Sequence, residues 1–240
     1  MGSSHHLKRL AMPRSWPLPR KTTVWIARPR PGAHSLERCI ALSVVMRDIL
    51  EVADTSRETR RILHNGHVKI DGKIVRDSRQ GVGLMDVLTL GEENYRCVLD
   101  ENGKLRYRPI TKKDSSWKIC RIENKTTIKG GQTQLNLHDG RNILIKDPNK
   151  YNTGDTLKLS LPDQKVLDHI SFEEGAIAYL IGGSHVGELS HIKQHVVKRS
   201  TMSNEVIFED FSTIESYVFL VNKKTGLPGI EVKWWANLQM

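Results

Sequence analysis

The sequence predicts an α+β, multi-domain chain. It comprises an extended basic N-terminal arm, a small helix-plus-hairpin domain, a central antiparallel β domain and a further C-terminal β region. Three observations carry this. Cations and prolines crowd the first 36 residues without a single acid. A capped helical pattern then runs directly into an Asp-Gly turn in "DTSRETRRILHNGHVKIDGKIVRD". Beyond it, short alternating apolar runs are separated by glycine turns, the signature of antiparallel strands. The segments divide as 1–42, 43–105, 106–172 and 173–240, the last ending in a tail. A chain of 240 residues accommodates two or three small domains. With 6% aromatics, several modest cores fit better than one aromatic-rich core.

Lys and Arg number 37 against 27 Asp and Glu, giving a net charge of +10 and a pI near 9.6. Such a balance favours a polyanionic partner, either nucleic acid or an anionic membrane surface. No run approaches the roughly 18 apolar residues that span a bilayer, and no apolar leader opens the chain. Neither a membrane span nor a secretory signal is expected. The three cysteines, Cys39, Cys97 and Cys120, are odd in number and far apart. Zinc and a disulfide framework are therefore not expected, and a reducing cytosol is the natural setting.

In the arm, Lys8, Arg9, Arg14, Arg20, Lys21, Arg28 and Arg30 supply most of the net charge. Pro13, Pro17, Pro19, Pro29 and Pro31 forbid a continuous helix. An extended arm follows, disordered when free and ordered on an anion. Trp16 and Trp25 alternate with the cations; each either stacks on unpaired bases or packs on the protein's own body. His5 and His6 are not assigned to a metal.

Residues 36–50, "LERCIALSVVMRDIL", carry Ile40, Val44, Val45 and Ile49 at helical spacing, which predicts a helix with a buried stripe. Thr55 and Glu58 form a capping-box pattern, and Asn65-Gly66 is a stop signal, placing a second helix over about 56–64. At 100° per residue, Arg57, Arg60, Arg61 and His64 make one acid-free stripe. Thr59, Ile62 and Leu63 lie opposite, toward a core. Asp71-Gly72 then predicts a two-residue turn. Its register sets Ile70 opposite Lys73, Lys69 opposite Ile74, Val68 opposite Val75 and His67 opposite Arg76. Val68, Ile70 and Val75 face inward. His67, Lys69 and Arg76 face outward with Ile74.

This stretch resembles the small RNA-binding domain shared by several ribosomal proteins, rRNA pseudouridine synthases and tyrosyl-tRNA synthetases. The resemblance implies RNA binding and no particular reaction. Further on, "VGLMDVLTL" and the "GEENYRCVLDENGKLRYRPI" after it read as strands. Strands follow around Asn102-Gly103, Gly130-Gly131 and Asp139-Gly140. "FEEGAIAYLIGGSHVGELSHI" places a strand over 176–181, Gly182-Gly183 and Gly187, then a second strand through Leu189 and Ile192. It resembles the KOW motif of small β-barrels in ribosomal proteins and transcription elongation factors. The basic stretch after it carries His191, Lys193, His195, Lys198 and Arg199.

The arm, the "VVMRDIL" segment, the RNA-binding unit, "CRIENKTTIKGGQTQLNLHDGRNI" and the KOW element stand in one order. Together they closely resemble the archaeal/eukaryotic-type small-subunit ribosomal protein four, over nearly the whole chain. "NKTTIKGGQTQLNLHDGRN" is the most specific block; "MGSSHH" is poorer in cations than that family, and "VNKKTGLPGIEV" is a loose match. The resemblance implies a cytoplasmic, non-enzymatic ribonucleoprotein component of the small ribosomal subunit that supports translation. It takes no cofactor, metal or small-molecule substrate. Its partners would be small-subunit rRNA and neighbouring ribosomal proteins, without a membrane or an obligate homo-oligomer. The expected RNA contacts are Arg14, Arg20, Lys21, Arg28, Arg30, Arg57, Arg60, Arg61, His64, His67, Lys69, Lys73, Arg76, Arg79, Lys193, Lys198 and Arg199.

Two alternatives stand beside this. A KOW-containing transcription or translation factor explains the barrel but not the specific block or the arm. An rRNA pseudouridine synthase needs a catalytic Asp, usually after Arg-Leu; Asp100 and Asp168 both follow Val-Leu. Other catalytic patterns fall short. Gly66 to Lys73 has five residues between its glycines where a phosphate-binding loop has four, and Ile74 replaces the Mg²⁺-binding hydroxyl. "GGSHVG" is out of register for a nucleophile elbow. "HIKQH" spaces His191 and His195 like a zinc pair but lacks the Glu that would act as base.

Overall fold

Prolines forbid a helix in the arm, yet they do not forbid packing, and the apolar residues among them decide its conformation. The computed structural model describes residues 5–145 and 147–221. They fall into two compact units. One runs from the first described residue to Val98 and adds Lys104–Lys118 and Leu161–Asp163; the other comprises Leu99–Gly103, Ile119–Ser160 and Gln164 onward. The architecture is α+β and mostly β. No helix among the described residues is long and apolar enough to cross a membrane. Residues 222–240, with the tail and nearly all of "VNKKTGLPGIEV", lie outside the described residues, as does most of "MGSSHH".

In the first unit the arm is not extended, contrary to the sequence expectation. Leu7–Lys8 pairs antiparallel with Trp25–Ile26, and Arg9–Ala11 forms a tight 3-10 turn. Met12, Trp16 and Ile26 are buried. The Trp16 indole N–H donates to the Cys39 carbonyl at 2.9 Å, and Leu105 N–H donates to the Ser15 carbonyl. Burying an indole with its N–H satisfied recovers the loss of freedom that an arm of cations alone could not offset.

The helix expected over 36–50 is a second correction. Leu36–Arg38 is a 3-10 turn, Cys39–Ala41 is a strand paired with Gly81–Gly83, and only Leu42–Val44 and Val45–Ile49 are helical, the latter as a π-turn. Residues 39–46 are all buried, so apolar spacing does not distinguish a buried strand from a buried helix. Glycines at 81 and 83 permit this close pairing: a Cβ at 81 would sit 3.1 Å from Cys39 Sγ, and one at 83 would sit 2.8 Å from the Arg38 carbonyl.

The helix Ser56–His64 forms as expected, with both capping-box bonds. Glu58 N–H donates to Thr55 Oγ1, and Thr55 N–H donates to Glu58 Oε2, each at 3.2 Å. The hairpin has the expected register, Ile70 opposite Lys73 and Lys69 opposite Ile74. Asp71 and Gly72 both have positive φ, 50° and 79°, as a type I′ turn requires. The hairpin is the edge of a five-stranded sheet ordered Lys73–Ile74, Val68–Ile70, Val87–Leu90, Glu93–Leu99 and Leu105–Ile110. "VGLMDVLTL" contributes to two strands, Gly81–Gly83 and Val87–Leu90, separated at Met85 with φ 66°.

In the second unit a five-stranded sheet is ordered Asn142–Ile145, Thr133–Leu137, Trp117–Thr127, Thr156–Ser160 and Val166–Ile170. Trp117–Thr127 joins this unit from Ile119 on. Cys120, Ile122, Leu135, Leu137, Leu157 and Leu159 form its core. Two three-stranded sheets follow. Ile177–Leu180 pairs with Leu189–His191 and with Val218–Val221, and Glu205–Ile207 lies between Gln194–Val196 and Ser212–Ile214. Their core includes Ala178, Leu180, Val206, Phe208 and Leu220.

Candidate nucleic-acid interface

The helix Ser56–His64 buries Thr59 and Leu63 and half-buries Ile62, so its opposite face projects outward. Arg57, Arg60, Arg61 and His64 are all exposed there. From the hairpin, His67, Lys69, Lys73 and Arg76 are exposed, while Val68 and Ile70 are buried and Val75 is half-buried. None of these eight side chains makes an ion pair or hydrogen bond among the described residues. Ile74 is 57% exposed on the same hairpin. A surface with its cations unpaired at i, i+4 spacing repels itself by a few tenths of a kcal/mol per pair, and an external anion relieves that repulsion.

Other expected contacts divide by what already holds them. Arg14 and Lys21 are exposed and unpaired among the described residues. Arg20 donates from Nη1 to the Leu10 carbonyl at 2.9 Å. Arg28, Arg30 and Arg79 line a hollow of about 840 Å³ with His5, and Arg30 N–H donates to the Arg79 carbonyl. Arg30 also pairs with Asp77 at 2.8 Å. In the second unit, Lys193 and Arg199 are exposed, whereas Lys198 pairs with Glu205 at 2.8 Å. Trp16 is buried on the protein's own body, which resolves that alternative; Trp25 is 56% exposed.

The sequence did not reveal what holds the basic hairpin in place. Asp71, at the turn, is buried. Its Oδ1 accepts from Val87 N–H at 2.9 Å, and its Oδ2 accepts from Lys118 Nζ at 3.0 Å. Lys118 Nζ also donates to Asp86 Oδ1. Asp86 Oδ2 accepts from Gly83 N–H at 2.7 Å and lies 2.9 Å from His34 Nε2. Burial alone would raise the Asp86 carboxyl, but the His34 and Lys118 charges beside it outweigh burial and hold it far below the usual carboxylate range. The turn is thus clamped to the body by a desolvated ion-pair network. The one signal in the sequence was a lone lysine inside the apolar run "WKIC".

No nucleophile emerges near it. Burial, with Asp86 adjacent, pushes the Cys39 thiol up to about 12, and burial likewise lifts Cys97 well above its ordinary value. Both stay protonated and inert. Cys120, His138 and Asp139 bring ligand atoms within 4.8 Å of one another. Their donors are engaged by the protein: Asp139 accepts from Arg141 Nε at 3.1 Å and from the Cys120 thiol at 3.5 Å, and His138 Nδ1 accepts from Arg121 N–H at 3.2 Å. This is bracing of the Asp139-Gly140 turn. His191 and His195 lie on separate strands, the first against the Gly175 carbonyl and the second against the Phe172 ring.

Comparison with known proteins places this geometry in context. The profile of Ribosomal family S4e matches residues 91–166, and that of the RS4NT (NUC023) domain matches residues 1–37. The small ribosomal subunit protein eS4 of Methanothermobacter thermautotrophicus is 42% identical over 95% of this chain and 98% of its own length. The corresponding protein of Archaeoglobus fulgidus is 45% identical over 91% of this chain and 94% of its own. The crystal structure of the 30S ribosomal protein S4e from Thermoplasma acidophilum superposes with a TM-score of 0.69 at 36% identity. It covers 78% of this chain and 97% of that one.

Proposed function

Because the chain belongs to the ribosomal S4e family, we propose that it holds small-subunit rRNA through its basic helix and hairpin, assisted by the N-terminal segment. The family is one of structural ribosomal proteins, and the chain is not an enzyme. It works as a constituent of the small subunit in the cytoplasm, alongside neighbouring ribosomal proteins, without a small-molecule substrate or an obligate homo-oligomer.

One observation carries the reading: eight exposed cationic and histidine side chains on one helix and hairpin stand without a protein partner among the described residues. Arg57, Arg60, Arg61, Lys69, Lys73 and Arg76 meet phosphates, with His64 and His67 beside them. Recognition is of RNA shape and backbone, since an A-form helix hides its base edges in a deep groove. Arg14, Arg20, Lys21, Arg28, Arg30 and Arg79 extend this surface from residues 1–42 and the segment after the hairpin. Residues 43–105 act as the RNA-binding module and 106–172 as a β spacer. Residues 173–240 act as a KOW-type barrel and tail that offer Lys193, Lys198 and Arg199. Support for the KOW reading comes from Ile177–Leu180 pairing with Leu189–His191 across Gly183 and Gly187, both at positive φ.

Cosedimentation with small subunits through a high-salt cushion tests the assignment. A structural constituent stays bound until the subunit is stripped. Release at moderate salt would overturn it in favour of a transient factor.

A further inference from the structure

The most exposed aromatic residue of the N-terminal segment faces a hollow whose charge is wrong for RNA. Val24 and Trp25 are 66% and 56% exposed and line a depression of about 830 Å³. Asp48, Glu51 and Asp54 line the same hollow. The cations that share the hollow are already engaged. Arg47 pairs with Asp48 at 2.7 Å and donates to Ser56 Oγ at 3.0 Å. Arg9 is only 6% exposed, and its guanidinium donates to the Pro19 carbonyl at 2.7 Å and to Thr23 Oγ1 at 3.2 Å. Glu51 and Asp54 are exposed, and their carboxylates have no partner among the described residues. Glu51 is also held at φ 53°, directly after the π-turn Val45–Ile49.

Two water-facing carboxylates repel phosphate and attract ammonium or guanidinium groups. An exposed indole beside an aliphatic side chain offers apolar area that a sugar-phosphate backbone does not use. We infer that this hollow docks a cationic, apolar-bearing peptide extension of a neighbouring small-subunit protein, with Trp25 and Val24 covered by its apolar side chains and Glu51 and Asp54 meeting its Lys or Arg. The inference rests on the ribosomal assignment only in naming the source of the peptide. It separates the two faces of this unit: the face around Arg57, Arg60 and Arg61 takes RNA, and the face around Trp25 takes protein.

A fluorescein-labelled peptide of repeated Lys-Pro-Leu-Arg, its Glu-substituted counterpart and an oligouridylate are titrated against the full chain. The cationic peptide binds and the acidic one does not. The double variant Glu51→Gln/Asp54→Asn weakens peptide binding about tenfold, and Trp25→Ser weakens it as well, while neither loses affinity for an rRNA fragment. Unchanged peptide binding in the double variant, or loss of oligouridylate binding in Trp25→Ser, overturns the inference. In assembled subunits, a benzophenone side chain in place of Trp25 crosslinks to a Lys/Arg-rich segment of another protein. A crosslink to rRNA, or none, overturns it. A chain that never enters subunits would instead sink the ribosomal assignment, and the peptide titration would still decide the docking site.

Discussion

Lys118 and Asp86 show how much of this molecule hangs on groups that no linear pattern reveals. Lys118 is fully buried between two carboxylates, Asp71 and Asp86. Replacing it with methionine keeps the volume but removes the ammonium that the two buried carboxylates share, leaving backbone N–H donors at Val87 and Gly83 and, beside Asp86, His34. Breaking a buried ion pair on one side costs about 3–5 kcal/mol, on the order of 10 °C in the unfolding of this unit. Thermal melts of Lys118→Met followed by near-UV circular dichroism read this directly. The same network sets the acid response. The Asp86 carboxyl is held far below its unfolded value, near 3.9. Its contribution is therefore complete above about pH 5 and is lost as pH falls toward the folded value. Melts repeated at stepwise lower pH below about 5 should fall steeply for the native chain and less steeply for Asp86→Asn. Parallel acid limbs would show that Asp86 does not carry the effect. Asp71 was legible as a turn residue, because Asp-Gly chemistry is local. Its burial was not, because its partner Lys118 lies far along the chain.

Elements fixed by local chemistry were the ones the sequence revealed. The helix Ser56–His64 and its hairpin follow from a cap, a stop and a turn, each within a few residues, and the structure reproduces their bounds and register. Elements fixed by distant pairing escaped. Cys39–Ala41 is a strand only because Gly81–Gly83 accepts it, and the arm folds because Trp16 finds the Cys39 carbonyl. The hairpin itself yields a prediction that separates strain from contact. Gly72 has φ 79°, and a Cβ there would sit 3.1 Å from Pro162 Cβ; Gly91 has φ 61° and open space around it. A side chain at either position pays for left-handed backbone, about 1 kcal/mol for alanine. Gly72→Ala should therefore cost more than Gly91→Ala, and Gly72→Val more still, since a branched Cβ adds crowding to strain. Equal melting temperatures for the two alanine variants would mean that Pro162 yields freely and that the turn is looser than its geometry.

Across the whole molecule, net charge announced an anionic partner, but only the structure separates cations that are available from cations that are engaged. Sequence reasoning placed Arg57, Arg60, Arg61 and Lys198 in one class; the first three are unpaired among the described residues, and Lys198 is held by Glu205. The distinction has a thermodynamic signature. A free cation that meets a phosphate releases a counterion, so each such contact steepens the dependence of log affinity on log salt by roughly 0.7–0.9. A cation already neutralised by a carboxylate has little left to release. The triple variant Arg57→Ala/Arg60→Ala/Arg61→Ala should flatten the salt slope for a small-subunit rRNA fragment by roughly two to three units. Lys198→Ala should flatten it by far less than one contact's share, even though both sets of residues lie on the surface. Titrations of the full chain against the fragment across a salt series measure both slopes without regard to how the two units are arranged. A slope near zero in the native chain would remove the electrostatic basis for RNA binding. Equal flattening per residue in the two variants would instead show that the Lys198–Glu205 pair opens on RNA, and that pairing in the free protein does not predict which cations bind.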